Sequence, residues 1–325
     1  MEFRKFAEKV IDKIKPFLVE KKAVATTHRC CIQLSDRNVY LVHINKTENS
    51  IELLVAQSFQ YDDIGNLTPI LSSLVNKYDL GSIPTIWLLS PDDYQLILID
   101  SMPVPENEIR NALSWRVRSL INYPIDEAII DFFMIPAKKT SPDHPMVAAI
   151  SANRQQLSPT INIYKNSSIA LTTIDIPELA LRNLTALYEN DEKSTAMIYF
   201  TGNYVILNIT SKKTLYFTRR INYSFSQTHD KTRFEELSLD ILRYFDYFQS
   251  QWRYPTPSRI FTASQNGGSD EIAARLSEYL MTKVEVFSLK SLLSDDKARS
   301  LLEQKLILAF GCALREGIQY VPTRD

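Results

Sequence analysis

The chain has 325 residues, of which 45% are hydrophobic and 23% charged, enough for a large core in two domains or one two-lobed domain and unlike a disordered or fibrous chain. Its 37 Lys+Arg stand against 38 Asp+Glu, a formal net charge of -1, so it lacks the basic excess that holds a phosphate backbone and nucleic acid is not an expected partner. Only 7 glycines are present, where ordinary usage gives roughly 23, which leaves little material for glycine-rich phosphate cradles.

In chain order, Phe3, Phe6, Val10, Ile14 and Phe17 recur at helical spacing and predict an amphipathic helix over 1–22. Residues 2–22 carry seven Lys/Arg and four acids, so this helix either packs on its own domain or touches a partner or a membrane surface. Cys30–Leu34, Val39–Ile44 and Ile51–Phe59 read as three short strands of an antiparallel meander. Leu67, Ile70, Leu71, Leu74 and Tyr78 predict a helix, followed by strands over Pro84–Leu89 and Tyr94–Ile99 across the turn Pro91-Asp92-Asp93. After Met102-Pro103-Val104-Pro105, a helix bearing Ile109, Leu113, Val117 and Leu120 and a strand over Ala128–Ile135 predict a small inserted subdomain. Pro136–Pro145 reads as a loop, and Met146–Ile150, Arg154–Tyr164, Ile169–Ile174 and Pro177–Tyr188 as strand, helix, strand and helix.

The second half restarts with strands over Ala196–Phe200, Tyr204–Ile209 and Thr214–Ile221, so the order of elements repeats. Phe234, Leu237, Ile241, Tyr244, Phe248 and Trp252 mark a long helix that Pro255 and Pro257 stop. A strand over Ile260–Thr262, a helix over Asp270–Leu280, a strand over Val284–Phe287 and a final helix over Ala298–Leu314 complete the chain. Two lobes, each opening with a three-stranded meander, follow from the pattern alone.

The chemistry the residues can carry is limited. No GxSxG occurs, and His28, His43, His144 and His229 stand in unrelated contexts, which removes support for a Ser-His-Asp hydrolase. Cys30, Cys31 and Cys312 are the only cysteines, so neither a disulfide framework nor a CxxC site is available, and a reducing cytoplasm fits best. The adjacent pair points to opposite faces if it lies in a strand, as small apolar residues rather than zinc ligands. GxxxxGK[ST] and GxGxxG are both absent. Gly267-Gly268 precedes a helix and either offers amides to a phosphate or simply makes a tight turn. Trp115, followed by Arg116 and, one residue on, by Arg118 on the same helix, is either an anchor for a protein partner or a core residue. No apolar run reaches the roughly 18 residues of a membrane span, and the first 22 residues are too charged for a secretory signal.

Several segments in order carry a resemblance: Leu113-Ser114-Trp115-Arg116-Val117-Arg118 with Tyr123-Pro124-Ile125 and Asp131-Phe132, Phe217-Thr218-Arg219-Arg220-Ile221, Asp246-Tyr247-Phe248 with Arg259-Ile260, and Ala309-Phe310-Gly311-Cys312-Ala313-Leu314-Arg315. Over about residues 25–316 the chain resembles the actin-like assembly proteins of type IV pilus machines, the PilM group, and most closely its MshI branch, which serves the MSHA pilus. The resemblance implies an α/β, actin-like ATPase fold with two duplicated ribonuclease-H-like lobes around a cleft. On that reading the first lobe spans 23–102 and 151–190, the insert 103–150 and the second lobe 191–316, with the last helix free to return to the first lobe and a tail over 317–325.

The nucleotide-binding relatives carry an Asp-Ile-Gly-type turn ending in Lys. Here the matching stretch is Gln33, Leu34 and Ser35, ending at Tyr40, with Asp36 as the one acid nearby. In the second lobe the matching turn falls on Tyr199-Phe200-Thr201, or on Gly202 after a one-residue shift, and Gly267-Gly268 follows its strand later than the family's adenosine-side pair. Carboxylates in such clefts hold hydrated magnesium and glycines let amides reach phosphate oxygens, so these departures imply a degenerate cleft with no ATP or Mg cofactor expected and no hydrolysis. Asp36 is the residue whose catalysis would overturn that expectation.

The implied role is a cytoplasmic adaptor, peripheral to the inner membrane of a Gram-negative bacterium, that holds the tail of a bitopic PilN- or MshJ-like partner in a groove between the first lobe and the insert. Trp115, Arg116 and Arg118 are the expected groove residues, a cytoplasmic assembly ATPase is a further expected partner, and membrane contact comes through partners or the N-terminal helix. Ile318-Gln319-Tyr320-Val321-Pro322-Thr323-Arg324 partly resembles the partner motif Ile-Asn-Leu-Leu-Pro-x-Arg and would fill its own or a neighbour's groove. The rival readings are an active ATP-binding actin-like protein, which Gln33, Tyr40 and Tyr199 disfavour, and the cytoplasmic part of a type II secretion platform protein, which would continue into a transmembrane helix.

Overall fold

The computed structural model describes residues 27–315 apart from 36, 49, 100–103, 105, 139–145, 190–192 and 254. The helix expected over 1–22, the tail 317–325 and Asp36 lie outside the described residues. The chain opens with β1 (His28–Ser35), β2 (Asn38–Lys46), β3 (Ile51–Gln60), α1 (Leu67–Tyr78) and β4 (Thr85–Leu88). Next come β5 (Gln95–Ile99), α2 (Glu106–Val117), β6 (Ala128–Ile135) and β7 (Met146–Asn153), then α3 (Arg154–Asn166), β8 (Leu171–Asp175) and α4 (Pro177–Thr185). The second half runs β9 (Thr195–Phe200), β10 (Tyr204–Ser211), β11 (Thr214–Asn222), α5 (Lys231–Trp252), β12 (Arg259–Ser264), α6 (Ser269–Tyr279), β13 (Val284–Val286), α7 (Asp296–Leu301) and α8 (Ile307–Ala313).

Local chemistry sets the ends of these elements. The Asp230 carboxylate caps α5 by accepting from the amides of Thr232 and Arg233, and Arg253 ends it in the left-handed conformation. The Asn153 side chain caps α3 in the same way, through Gln155 N–H. The final helix expected over 298–314 is interrupted: a π-helical turn over Leu302–Leu306 separates α7 from α8. The wider turn re-phases the helix, so that Leu302 and Leu306 are buried within it and every residue from Ile307 to Ala313 is buried after it.

The two halves build the same sheet. The first has the order β3-β2-β1-β4-β8 and the second β11-β10-β9-β12-β13, each an antiparallel meander extended by two parallel strands. Period-2 alternation divides each sheet into two buried faces. Cys30 and Cys31 illustrate it: Cys30 packs with α1 and α3 on the outer face, whereas Cys31 joins the core between the lobes. The outer face of the second sheet packs against α5 and α6.

The insert sheet, of order β5-β7-β6, draws its first strand from the stretch expected in the first lobe. Gln95–Ile99 pairs with Val147–Ser151 and, among the described residues, with no first-lobe strand, so the sheet of the insert takes in strands that begin before 103 and end after 150. Its two faces part company by the same alternation. Ile97, Ile99, Val147, Ala149, Ile130 and Phe132 pack under α2, while Leu96, Leu98, Phe133, Ile135, Met146 and Ala148 pack against the second lobe.

Between the lobes lies a shared core in which helices are exchanged. α4 follows the last strand of the first sheet yet packs on β9, β10 and β11, and α8 follows the second sheet yet packs on β1, β2 and β4. The two helices also pack on each other, and their closest approach is at Gly311. A Cβ there would meet the Ala180 carbonyl oxygen at 2.5 Å and Leu184 Cγ at 2.7 Å, distances no packed carbon atoms adopt. The Gly311 carbonyl accepts from Asn183 Nδ2 at 2.9 Å, which fixes the register of the pair. The Gly311→Ala variant is expected to lose about 2 kcal/mol of unfolding free energy in urea titration. Gly202→Ala, where a Cβ meets nothing within 4 Å, should change it by less than about 0.5 kcal/mol; equal effects at the two positions would refute the contact at Gly311.

Candidate functional site

The cleft between the lobes is a cavity of about 360 Å³. The first lobe contributes Gln33, Leu34 and Ser35 at the end of β1 and Ser90-Pro91-Asp92-Asp93 after β4; the second contributes Thr201-Gly202-Asn203-Tyr204 between β9 and β10, and Gln265 after β12. These are the ends of parallel central strands in both sheets, where an open α/β sheet presents loops to a ligand. Ser90 Oγ donates to the Leu34 carbonyl at 3.1 Å, and Asp93 Oδ2 accepts from the Ser90 amide at 2.8 Å, so the 90–93 turn is fixed against β1. Burial raises the Asp93 carboxyl above its ordinary value, an effect the Ser90 amide partly offsets. On the opposite wall Thr201 Oγ1 accepts from the amides of Tyr204 at 2.9 Å and Asn203 at 3.3 Å, which makes the second-lobe turn rigid.

Of the expected cleft residues, Gln33, Ser35, Thr201 and Gly202 line this cavity together. Tyr40 and Tyr199 do not: both are buried in the core shared by the lobes. Tyr199 precedes the turn by two residues in a strand whose side chains alternate, so the second-lobe loop begins at Thr201, and Thr201 and Gly202 are the residues of this stretch that reach the cleft. Burial, with Tyr40 adding to it, pushes the Tyr199 phenol well up, as expected of a core hydroxyl and not of a cleft group. Gly267 and Gly268 stand outside the cavity lining, with φ of +81° and +69°. Gly268 is the N-cap of α6, so the pair is a left-handed turn for which glycine carries no Cβ penalty.

A hydrogen-bonded network lies across the cleft and joins residues that no sequence motif links to one another. Arg220 on β11 donates through Nη1 to the Pro91 carbonyl at 2.5 Å and through Nη2 to Glu178 Oε1 on α4 at 3.2 Å. Glu178 has 1% of its side chain exposed, and its Oε2 accepts from Tyr94 OH. Burial, reinforced by the Glu178 charge, holds the Tyr94 phenol well above its ordinary value, so it remains a donor. The Arg220 guanidinium lies 4.8 Å from the Tyr94 ring and 5.5 Å from the Tyr204 ring, and Tyr204 OH donates to Asp92 Oδ1 at 2.5 Å. The first-lobe and second-lobe chains are therefore tied by the Arg220–Glu178 ion pair, the Arg220–Pro91 and Tyr204–Asp92 hydrogen bonds and a guanidinium between rings, while Tyr94 braces Glu178 from its own lobe. In the sequence, Pro91-Asp92-Asp93 shows only as a turn and Glu178 as an acid near a helix start.

The expected groove residues are placed elsewhere. α2 packs on the insert sheet through Ile109, Leu113 and Val117, and Trp115, Arg116 and Arg118 are exposed on its outer side. The lobes pack on the opposite face of that sheet, so these three residues do not line the junction of the first lobe and the insert. The edge of the insert at that junction is β5, which pairs only with β7 among the described residues.

Two lobes of one strand order, with exchanged helices and an insert after the fourth strand, define an actin-like ATPase fold. The chain is similar to a chain of the PilM-PilN type IV pilus biogenesis complex, with a TM-score of 0.69 and 14% identity, covering 88% of this chain and 98% of that one. It is also similar to a Bacteroides thetaiotaomicron protein of actin-like ATPase fold and unknown function, with a TM-score of 0.48, 9% identity and coverage of 85% and 96%. The cytoplasmic domain of EpsL, an inner membrane component of the type II secretion system of Vibrio cholerae, is similar at a TM-score of 0.45 and 13% identity, with coverage of 73% and 82%. No family model and no curated protein sequence matches the chain.

Removing one partner of a buried ion pair strands the other, so Arg220→Ala is expected to lower the unfolding free energy by about 3 kcal/mol. Adding Glu178→Gln should restore part of that loss, giving a coupling of about 1 kcal/mol or more in a double-mutant cycle. Additive effects in urea titrations would show that the pair does not act as a unit.

Proposed function

We propose that this protein is an actin-like adaptor of a type IV pilus assembly platform that holds the cytoplasmic tail of a PilN-like bitopic membrane protein and does not hydrolyse ATP. The observation that carries the reading is the fold match to a chain of the PilM-PilN complex over 98% of that chain. The MSHA system is the narrower assignment, supported by the ordered sequence resemblance to the MshI branch. Such an adaptor sits at the cytoplasmic face of the inner membrane, recruited by its partners, with an assembly ATPase as a further contact.

The open side of β5 supports tail binding by strand addition, because an edge strand offers unpaired amides and carbonyls to an extended peptide. The absence of hydrolysis is supported by the residues that line the cleft. Of the two acids among the described lining residues, Asp92 is engaged by Tyr204 and Asp93 by the Ser90 amide. Gln33 occupies the place of the first-turn carboxylate, and the glycine pair is spent on the α6 turn. These residues do not fit magnesium-bound nucleotide phosphates, which need free carboxylates and close backbone approach.

Hydrogen exchange on the full chain tests the reading with a synthetic peptide carrying Ile-Asn-Leu-Leu-Pro-x-Arg. Amides of residues 95–99 are expected to exchange more slowly with peptide, and the thermal midpoint is expected to stay unchanged in millimolar Mg-ATP. Protection elsewhere without protection of β5 would reject the strand-addition site. A saturable rise of the midpoint with Mg-ATP would favour the active nucleotide-binding reading, since ligand at 100 times its Kd adds about 2.7 kcal/mol.

A further inference from the structure

Helix α2 covers the insert sheet with one stripe and presents the rest of its surface outward. Ile109, Leu113 and Val117 form the buried stripe, and Arg110, on the sheet side, is consumed by Asp131 at 3.0 Å and by the Phe132 ring at 5.5 Å. Trp115 lies two residues from both Leu113 and Val117, which at about 100° per residue points it away from the sheet. It is 59% exposed, and Leu120, in the turn that continues the helix, is 55% exposed. The Leu120 amide still bonds the Val117 carbonyl at 2.8 Å, so helical spacing holds to that point and sets Trp115 beside Arg118 and Arg116 beside Leu120.

The charge at this tip is one-sided. Arg116 and Arg118 are exposed, and neither forms a salt bridge among the described residues. No acid occurs from Ser114 to Ile125, although the whole chain has a net charge of -1. An aromatic ring, a leucine and two guanidinium groups without a salt bridge among the described residues, all on a convex helix face, match a planar, anionic and partly apolar surface. A bound peptide would instead need a groove, and the outer face of a helix offers none. Arginine stems and indole rings settle where headgroups meet acyl chains, with apolar body inward and polar atoms outward.

We propose that the tip of the insert, through Trp115, Arg116, Arg118 and Leu120, docks on an anionic phospholipid surface. This inference stands on the insert's own geometry and is independent of tail binding, so its test uses no partner peptide. The chain supplies a built-in probe: of its three tryptophans, Trp87 is 3% and Trp252 2% exposed, so only Trp115 can meet a lipid quencher.

The full chain is titrated with phosphatidylcholine vesicles containing or lacking phosphatidylglycerol, each with brominated acyl chains, while tryptophan emission is followed. Quenching and a blue shift are expected with the anionic vesicles alone and are expected to weaken as salt is raised. Arg116→Gln/Arg118→Gln should weaken vesicle partitioning about 30-fold with the thermal midpoint unchanged. Trp115→Phe should abolish the quenching and leave co-sedimentation with the vesicles in place. Failure to bind, equal binding to neutral vesicles, or binding without quenching would overturn the proposal, the last by placing the contact elsewhere, as on residues 1–22, which contain no tryptophan. A concentration-dependent shift without lipid would assign the patch to a second copy, and a response to a glutamate-rich peptide but not to vesicles would assign it to a protein; either overturns lipid docking.

Discussion

The approach of α8 to α4 at Gly311 is the constraint on which the rest of the architecture depends. Because each of these helices lies on the sheet of the other lobe, neither lobe can complete its core without the other. The Ala180 carbonyl stands where a Cβ would be, so the exchange is possible only with a bare backbone at that point. α4 then serves a second purpose. Its buried first turn carries Glu178, and the exchange brings that carboxylate under β11, where Arg220 reaches it. Asn208 Nδ2 bonds the Glu178 backbone carbonyl at 2.8 Å, so the same turn is held from β10 as well.

This arrangement changes what a cleft ligand would have to do. In a two-lobed protein whose lobes touch weakly, a ligand bridging the cleft supplies the energy that sets their angle, and the fraction closed follows its differential affinity for the two states. Here that angle is set by bonds within the chain. Arg220 spans from β11 to the 90–93 turn and α4, Tyr204 reaches Asp92, and Trp252 Nε1 on α5 donates to the Pro136 carbonyl of the insert at 3.1 Å. The insert sheet also buries Ile135, Met146 and Ala148 in the core of the second lobe. Opening the lobes would expose a carboxylate and a guanidinium that are now paired and would uncover apolar surface, both unfavourable. Lobes held this way present a constant surface, which is what the proposed adaptor role requires.

Much of the fold was legible because it obeys short-range periodicities. The meanders follow from alternation within three short runs in each half, and α5 from a stripe in which Phe234, Leu237, Ile241, Phe248 and Trp252 are all buried. The errors arise where long-range pairing decides. Nothing in Gln95–Ile99 says that its neighbour is β7 and not a first-lobe strand, since a glutamine followed by four apolar residues suits an edge of either sheet. The same holds for the cleft. Gln33, Ser35, Thr201 and Gly202 could be found from the strand ends, but Glu178 and Arg220 are 42 residues apart on a helix and a strand, and only the exchanged packing joins them. Trp115 was misplaced for a different reason: the buried stripe of α2 fixes the direction of every other residue on it, and two residues from Leu113 means outward.

The insert shows how one small sheet can serve two masters. Its strands alternate, so every residue that faces the lobes has neighbours that face α2, and neither face can be changed without moving the other. That coupling makes the insert a rigid bracket. One face is fixed to the body of the protein and the other carries a helix whose outer side points away from it, while β5 is an edge strand of the sheet among the described residues. A contact made at the outer side of α2 and an extended strand added to β5 would therefore be held at a fixed distance and orientation. A bitopic protein sends its tail out from the bilayer, so fixing that geometry would align the added strand relative to the membrane without any motion of the lobes.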